Sequence, residues 1–529
     1  MLEVAAALGR EFPLRLLRRA WPGIGSLDAH LEVLTRLEFL YPRTRHEEAM
    51  YVFTHALTHE VAYVTMPAER RRELHVAAGR ALESVFADRL EEAYDQLAYH
   101  YAHTEDSAKA VEYLSRFAEK AARGDHHQEA VQAWREALQH VERLPAELRD
   151  RRQLEIVLRL PDSLLPLGRI DEICTLLFEE RSRLERLQDA GLAARYHFLL
   201  ARALWLGNPV VAVEHARRAI AESERCLDEV TMGGAYGILA LAGALSGEAV
   251  RGIGDGRRAV KLLEGTRERW SLAYAYWALG VCCSQIGAFA DATVAAQRAL
   301  AIAEAIGAQP LAASATWLIG IIHAAMGDCE QGIAECQRAV TLAQDVLYRA
   351  IATGFLGFAY LEKGDAAQAI AALERSIPLL QQLGLRSLAG WFTAFLAEAE
   401  RLEGRLDRAE QCCAEALRLA TEATLPIAVG WARQSLGRIA AARGDLAAAA
   451  ARFEEALAVF TAIHSRYACA RTHMDLASLA WARVEPESAR RHLEQARRLF
   501  TELGVLRYRE RVERLAGDWG LRLTSASGA

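Results

Sequence analysis

Residues 271–310 read SLAYAYWALGVCCSQIGAFADATVAAQRALAIAEAIGAQP. Two amphipathic segments, each roughly four helical turns long, flank Gly287. Gly307 closes the stretch 20 residues after Gly287. The same layout recurs along most of the chain. Gly168, Gly207, Gly247, Gly287, Gly327, Gly364, Gly404 and Gly444 are separated by 39, 40, 40, 40, 37, 40 and 40 residues, and Val484 stands at the next interval. A fixed period of this length marks an architecture of stacked supersecondary units. Glycine suits the left-handed position that ends a helix, where a Cβ would be strained. Asp328, Asp365 and Asp445 follow a turn glycine and are expected to cap the second helix. Pro209 fits a first helical turn.

Small residues recur in step with the turns. Seven residues before each turn stand Ala240, Gly280, Gly320, Gly357, Ala397, Gly437 and Ala477; five after it stand Ala212, Gly252, Ala292, Gly332, Ala369, Ala409, Ala449 and Ala489. Twelve after it the series is Ala219, Ala259, Ala299, Ala339, Ser376, Ala416, Ala456 and Ala496. Three small positions per unit let paired helices approach closely. The run WALG at Trp277–Gly280, followed by Ala292 and Ala299, resembles the tetratricopeptide pattern. That resemblance covers about residues 90 to 505. The expected fold is all-α: a tetratricopeptide-type superhelix of helical hairpins, about nine repeats long.

The 529 residues carry 63 Lys and Arg against 69 Asp and Glu, a net charge of −6, which gives no general reason to expect nucleic acid as a partner. Nine cysteines without framework spacing suggest small apolar residues in a reducing compartment. No uncharged apolar run of about 18 residues is present and the first residues lack a basic leader, so the expectation is a cytoplasmic chain without a membrane span.

The first 66 residues differ from the rest. Met1–Trp21 reads as the end of one helix and a second. Ser26 can cap a helix through LDAHLEVLTRLEF, and Phe39–Tyr41 with Tyr51–Thr54 form a β-hairpin by composition. A helix follows at about 55–65 and another from Pro67. This order suggests a winged-helix-like module at 1–66, then irregular helical hairpins at 67–150, with Ala108, Ala118 and Ala130 at close contacts. The array follows at 151–521 and a flexible tail at 522–529. The runs AAALGREFPLRLL, LEFLYPR, YVFTHALTHEVAY and ERRRELHVAAGRALE resemble the region after the nucleotide-binding domain of bacterial STAND or AAA-type signalling ATPases. Some of these proteins carry an adenylate cyclase domain and others a DNA-binding helix-turn-helix. The sequence itself has no G-x-x-x-x-G-K-[ST] phosphate loop. The resemblance therefore implies a C-terminal portion of such a protein, a truncated reading frame, or a partner lacking its own motor. It also implies that Phe53, His55, Glu60 and Tyr63 set packing between the wing and a nucleotide-binding domain, in cis or in trans.

The first helix of each pair lines the inner face in tetratricopeptide proteins. Trp277 and Trp317 stand ten residues before their turns; Tyr274, Trp391 and Trp431 stand thirteen before. The two offsets share a helix face. These aromatics fit a groove for a peptide or small effector, or core packing between helices. Glu398, Arg401, Gln434 and Arg438 are the expected polar companions of the groove. His55 and His59, His100 and His103, and His126 and His127 lack the companions of a metal site. Arg43, Arg45, Arg70, Arg71 and Arg72 are offset by Glu47, Glu48, Glu69 and Glu73, which disfavours DNA contact. No nucleophile–base constellation stands out, and no metal or cofactor is called for. The expected role is a non-enzymatic scaffold for a protein, peptide or small effector, acting as the sensor of a signalling ATPase. Two other classes stay open: a transcription regulator using the winged helix, and a fragment of an adenylate cyclase-type enzyme.

Overall fold

The computed structural model describes residues 1–21, 23, 26–45, 48–124, 126–205 and 208–524. It contains two compact units, Met1–Leu192 and Ala193–Ala529. Gly207, Glu47 and the last five residues of the tail, named above, lie outside the described residues.

The first unit opens with α1 (Leu2–Leu8), β1 (Glu11–Pro13), α2 (Leu14–Ala20), α3 (Leu27–Arg36), β2 (Leu40–Arg45) and β3 (Glu48–Phe53). The strands form an antiparallel sheet in the order β1–β3–β2, with Phe12 opposite Tyr51 and Tyr41 opposite Val52. The hairpin lies where composition placed it, but its strands extend into the charged loop. β1 corrects the purely helical reading of residues 1–21. Three residues are too few for alternation to show in a sequence; the strand exists because it pairs the open edge of β3. Ser26 accepts a hydrogen bond from the Ala29 amide at 3.3 Å, as a capping residue should. Phe12, Leu16, Leu17, Leu40 and Phe53 form the buried centre of this module.

After it come α4 (Ala56–Val64), α5 (Ala68–Val85), a 3-10 turn at Leu90–Ala93, α6 (Tyr94–Ala102), α7 (Ser107–Arg123) and α8 (His127–Val141). Four shorter helices follow, α9–α12 (Ala146–Val157, Leu160–Leu164, Ile170–Glu179, Arg181–Leu187). Ala118 and Ala130 are buried, but Ala108 is exposed and Ala110 is the contact residue. The reason is helical phase. Ala110 lies two turns before Ala118 on one face, while two further residues rotate Ala108 away from it.

The second unit is a run of helical hairpins. Their helices are α13 and α14 (Ala190–Leu204, Pro209–Cys226), α15 and α16 (Glu229–Ser246, Ala249–Leu263), and α17 and α18 (Arg269–Ile286, Phe289–Ala305). Next are α19 and α20 (Gln309–Met326, Cys329–Leu342), α21 and α22 (Val346–Lys363, Ala366–Gln382), and α23 and α24 (Arg386–Leu402, Leu406–Glu422). The unit ends with α25 and α26 (Pro426–Ala442, Leu446–Ala462), α27 and α28 (Arg466–Ala482, Pro486–Glu502), and α29 (Leu506–Asp518). The architecture is the all-α tetratricopeptide superhelix expected from the repeat. Asp365 and Asp445 cap α22 and α26, accepting from Gln368 N and Ala448 N at 3.1 and 2.9 Å. Asp328 makes no such bond, which corrects the expectation there; its ψ is 60° where theirs is 80°.

The small positions work as close-contact seams. Ala240, Ala292, Ala299, Ala369, Ala416 and Ala456 are wholly buried. A Cβ on Gly320 would sit 2.6 Å from Cys336 Sγ and 2.9 Å from the Gly332 carbonyl oxygen. No real side chain tolerates that approach without moving a helix.

Within this unit the last hairpins fold back on earlier ones. Gly247 has φ 86°, and a Cβ there would lie 2.6 Å from Ile463 and 2.9 Å from Pro426. Gly444, also at positive φ, has nothing within 4 Å. The same turn residue thus has one duty late in the array and two early in it. The array coils tightly enough for its end to rest on its own middle.

Candidate ligand-binding cavity

Coiling encloses a cavity of about 700 Å³ within the second unit. Its wall comes mainly from the first helix of successive pairs, and the offsets explain why. Six residues before the turn stand Leu241, Val281, Ile321 and Phe358, all lining residues. Nine or ten before stand Trp277, Trp317, Leu318, Phe355 and Phe395; thirteen before stand Ile351, Trp391 and Trp431. Offsets of 13, 10, 9 and 6 fall on one helical face.

The aromatics form a continuous chain from hairpin to hairpin. Trp205 meets Trp277 with ring centroids 6.4 Å apart, and Trp277 meets Trp317 at 6.1 Å, both edge to face. Trp317 stacks on Phe355 at 4.0 Å, and Phe355 meets Trp391 edge-on at 5.8 Å. Phe395 then joins Trp391 to Trp431, at 6.2 and 5.9 Å. Such pairs each add about 0.5–1.5 kcal/mol beyond area burial. The chain is therefore both wall and structural element. Trp277 and Trp317 are 6% exposed, with the remainder of each ring packed between helices.

The structure brings Trp277, Trp317, Trp391 and Trp431 together around this cavity. Tyr274 lies beside Trp277 and Trp270 but faces a small neighbouring crevice. Glu398, Arg401, Gln434 and Arg438 stand outside the cavity lining. They belong to a buried ion network whose charges are paired, although Gln434 Oε1 has no hydrogen-bond partner. Arg438 bridges Glu398 and Asp475, at 2.8 Å to each, and Arg401 Nη2 donates to Glu398 Oε1 at 2.8 Å. Gln434 donates to Asp475 at 2.8 Å and to Thr472 at 3.1 Å. Burial alone would raise the Glu398 carboxyl, but Arg438 and Arg401 outweigh it and hold it at about 2.

Sequence reading missed Phe289, Phe355, Phe358, Phe395 and Tyr467, all of which line the cavity. For Phe355, Phe358 and Phe395 the signal was the offset series itself, which extends to any large residue on that face; Phe289, two residues after its turn, and Tyr467, seventeen before Val484, fall outside it. One end of the cavity is polar, with Glu214, Arg217 and Arg218 facing Glu248, Arg251 and Asp255. Arg218 pairs with Glu214 at 2.5 Å and Arg251 with Glu248 at 3.3 Å. Burial raises the Asp255 carboxyl against the opposing pull of Arg251, Arg258 and Arg217.

In the first unit, Phe53 is buried against Phe12 and His59, and Tyr63 is half-buried, its hydroxyl 2.7 Å from His75 Nε2. His55 and Glu60 are exposed on or beside α4, together with Leu57, Val61 and Val64. Four arginines of this region are paired: Arg43 with Glu11, Arg15 with Glu48, Arg70 with Glu3 and Glu73, and Arg72 with Glu105. Among the described residues no group of three His, Cys, Asp or Glu could hold a metal ion, and no helix is long and apolar enough to cross a membrane.

Comparison with known proteins accords with the fold. Residues 318–516 match the MalT-like TPR region. A Rap protein solved in complex with the Competence and Sporulation Factor is 15% identical, with a TM-score of 0.55 over 66% of this chain and 98% of that one. A STAND protein with a tetratricopeptide repeat sensor from Pyrococcus horikoshii is 14% identical, with a TM-score of 0.38 over 74% of this chain and 64% of that one. No match was found among curated proteins. The chain thus carries a tetratricopeptide-type array whose later part is similar to the MalT-like TPR region.

Proposed function

We propose that this chain is a regulatory binding scaffold, the sensor part of a bacterial STAND-type signalling ATPase, and that its effector occupies the aromatic cavity of the second unit. The cavity carries the reading. Its walls are large, largely pre-packed aromatic surfaces with a few polar groups, the usual make-up of a specific ligand site. The MalT-like match over 318–516 and the Rap fold, solved with a bound factor, support the same use. Occupancy would act on the packing between hairpins, because the lining side chains are also the inter-hairpin contacts.

The test is saturable binding of the neutral dye Nile red, followed by energy transfer from tryptophan. Val281→Trp, which fills the cavity from its wall, should weaken binding about tenfold or more. Dye binding that is absent, non-saturable or unchanged in that variant would remove the cavity from the model.

The order α1–β1–α2–α3–β2–β3 supports the winged-helix reading of residues 1–66. The exposed apolar side chains of α4 support a protein contact there, and the paired arginines argue against DNA. Nucleotide chemistry would then lie in another domain or chain. Calorimetric titration with ATP should give no binding heat; a saturable signal would contradict this part of the reading.

A further inference from the structure

Charge is distributed unevenly around the cavity. Among the described residues, every charged residue of the lining lies on α14 or on α16 and its N-cap. The walls supplied by α17, α19, α21, α23 and α25 carry aromatic and aliphatic side chains, with only uncharged polar groups such as Ser284 and Gln285 among them. A ligand charge set against those walls would lose its water and gain no counter-charge, which is expensive. The polar part of a ligand therefore belongs at the α14–α16 end, and its apolar body lies against the aromatics. A molecule so divided is an amphiphile.

The charged end selects the head group. Arg218 is neutralised by Glu214, and Arg251 by Glu248. Arg217 and Asp255 remain, and among the described residues neither makes an ion pair or a side-chain hydrogen bond. They stand on different helices, Arg217 exposed and Asp255 half-buried. Burial raises the Asp255 carboxyl; Arg217 is near enough to pull it down, yet does not touch it. A single negative charge beside Arg217 would face Asp255, and a single positive charge beside Asp255 would face Arg217. A zwitterion meets both. Its ammonium donates to the Asp255 carboxylate, and its acid group accepts from the Arg217 guanidinium. The hydroxyls of the lining can donate or accept, so they do not alter this choice.

We propose that the cavity takes a zwitterionic amphiphile, an apolar body ending in an amino-acid-type head, with that head bridging Arg217 and Asp255. This rests on the cavity being the effector site.

Equilibrium dialysis of the full chain against ten-carbon probes, each kept below its aggregation threshold, separates the two claims. The probes are 2-aminodecanoate as the zwitterion, decanoate, decylamine and 1-decanol. The zwitterion should bind about fivefold tighter or more than each of the others, a modest factor because ion pairs at partly exposed sites are weak. In Asp255→Asn decanoate should draw level with the zwitterion; in Arg217→Gln decylamine should. Either variant gives the test if the other folds poorly. A zwitterion that binds no tighter than the other three, or an order that neither variant moves, would overturn the head group and leave the cavity as a site. Binding of none of the four would instead overturn the cavity reading itself.

Discussion

Arg471 on α27 forms a buried ion pair with Glu362 on α21, 109 residues earlier in the chain. The Glu362 side chain is fully buried and also accepts hydrogen bonds from the hydroxyls of Tyr467 and Tyr508, at 2.9 Å each. Arg471 lies over the Trp431 ring, 5.1 Å from its centroid. Tyr467 in turn lines the cavity. One carboxylate therefore ties the returning end of the array to its middle and touches the cavity wall through a single side chain.

Removing one partner of such a pair leaves a buried charge exposed to the full desolvation cost. Glu362→Ala should destabilise the second unit by about 3–5 kcal/mol. Replacing both partners by apolar residues, Glu362→Met with Arg471→Met, should recover most of that loss. Urea titration followed by tryptophan fluorescence measures both. A single variant as stable as the parent would show that the pair does not hold the array closed.

The glycine seams predict opposite signs at two kinds of position. A Cβ on Gly437 would meet the Phe453 ring at 2.5 Å. Gly437→Ala should therefore cost about 1–3 kcal/mol by overpacking. Gly254 lies within α16 with nothing within 4 Å of its would-be Cβ. Gly254→Ala should stabilise by up to about 1 kcal/mol, through helix propensity alone. Thermal unfolding of the two variants, run beside the parent, gives the comparison; shifts of the same sign would refute the seam argument.

The fold was legible because its signals are local and periodic. Turn glycines such as Gly287, and small residues such as Gly320 and Ala299, report contacts within one hairpin or between neighbours. The closure was not legible, because contacts such as Gly247 with Ile463 depend on how a small rotation per hairpin accumulates. The candidate site shows the same divide. Offsets of thirteen and ten found the tryptophans, yet the same face carries Glu398 and Arg438 at offset six and Arg471 at offset thirteen. The inner face changes from aromatic to charged along the array. Whether a residue on it meets a cavity or an ion partner depends on its neighbour, as with Asp475 beside Arg438, and on what returns from later in the chain, as Arg471 does to Glu362.

In the first unit, His75 Nδ1 and His100 Nδ1 are 2.9 Å apart and both rings are buried. Burial, then His103 and Arg71, lower His75 to about 4; burial, then His75 and His103, lower His100 to about 3. Tyr63 and Tyr99 complete the cluster. Unfolded, both histidines take up protons near pH 6.5. Between about pH 6.5 and 4 the unfolded state binds more protons, so stability is present above that window and falls as pH drops through it. The expected loss is on the order of 3 kcal/mol for His75. Amide exchange protection in α5 and α6, corrected for intrinsic rates, should fall between pH 7 and 5, while α17 holds. Protection in α5 and α6 that is constant over that range would exclude the histidine pair as an acid-sensitive element.

The thiols offer a direct readout of array closure. Cys226 is exposed, whereas Cys282, Cys336 and Cys413 are buried, and burial raises all three of those thiols. The thiolate is the reactive form, so these three should resist alkylation in the folded chain while Cys226 is labelled first. Cys329 is the informative case. It is 7% exposed, and its sulfur lies 2.7 Å from Arg507 Nη1 on α29, which also donates to the Glu362 carbonyl at 2.9 Å. Cys329 is thus covered by the returning end of the array as well as by its own hairpin, where its thiol donates to the Ala324 carbonyl at 3.8 Å. Glu362→Ala should speed iodoacetamide labelling of Cys329 several-fold and leave Cys282, sealed on α17 against α15 and α16, unchanged. Residue-by-residue mass spectrometry distinguishes them. If both thiols accelerate together, the substitution has loosened the whole unit, and the ion pair is not a separable closure.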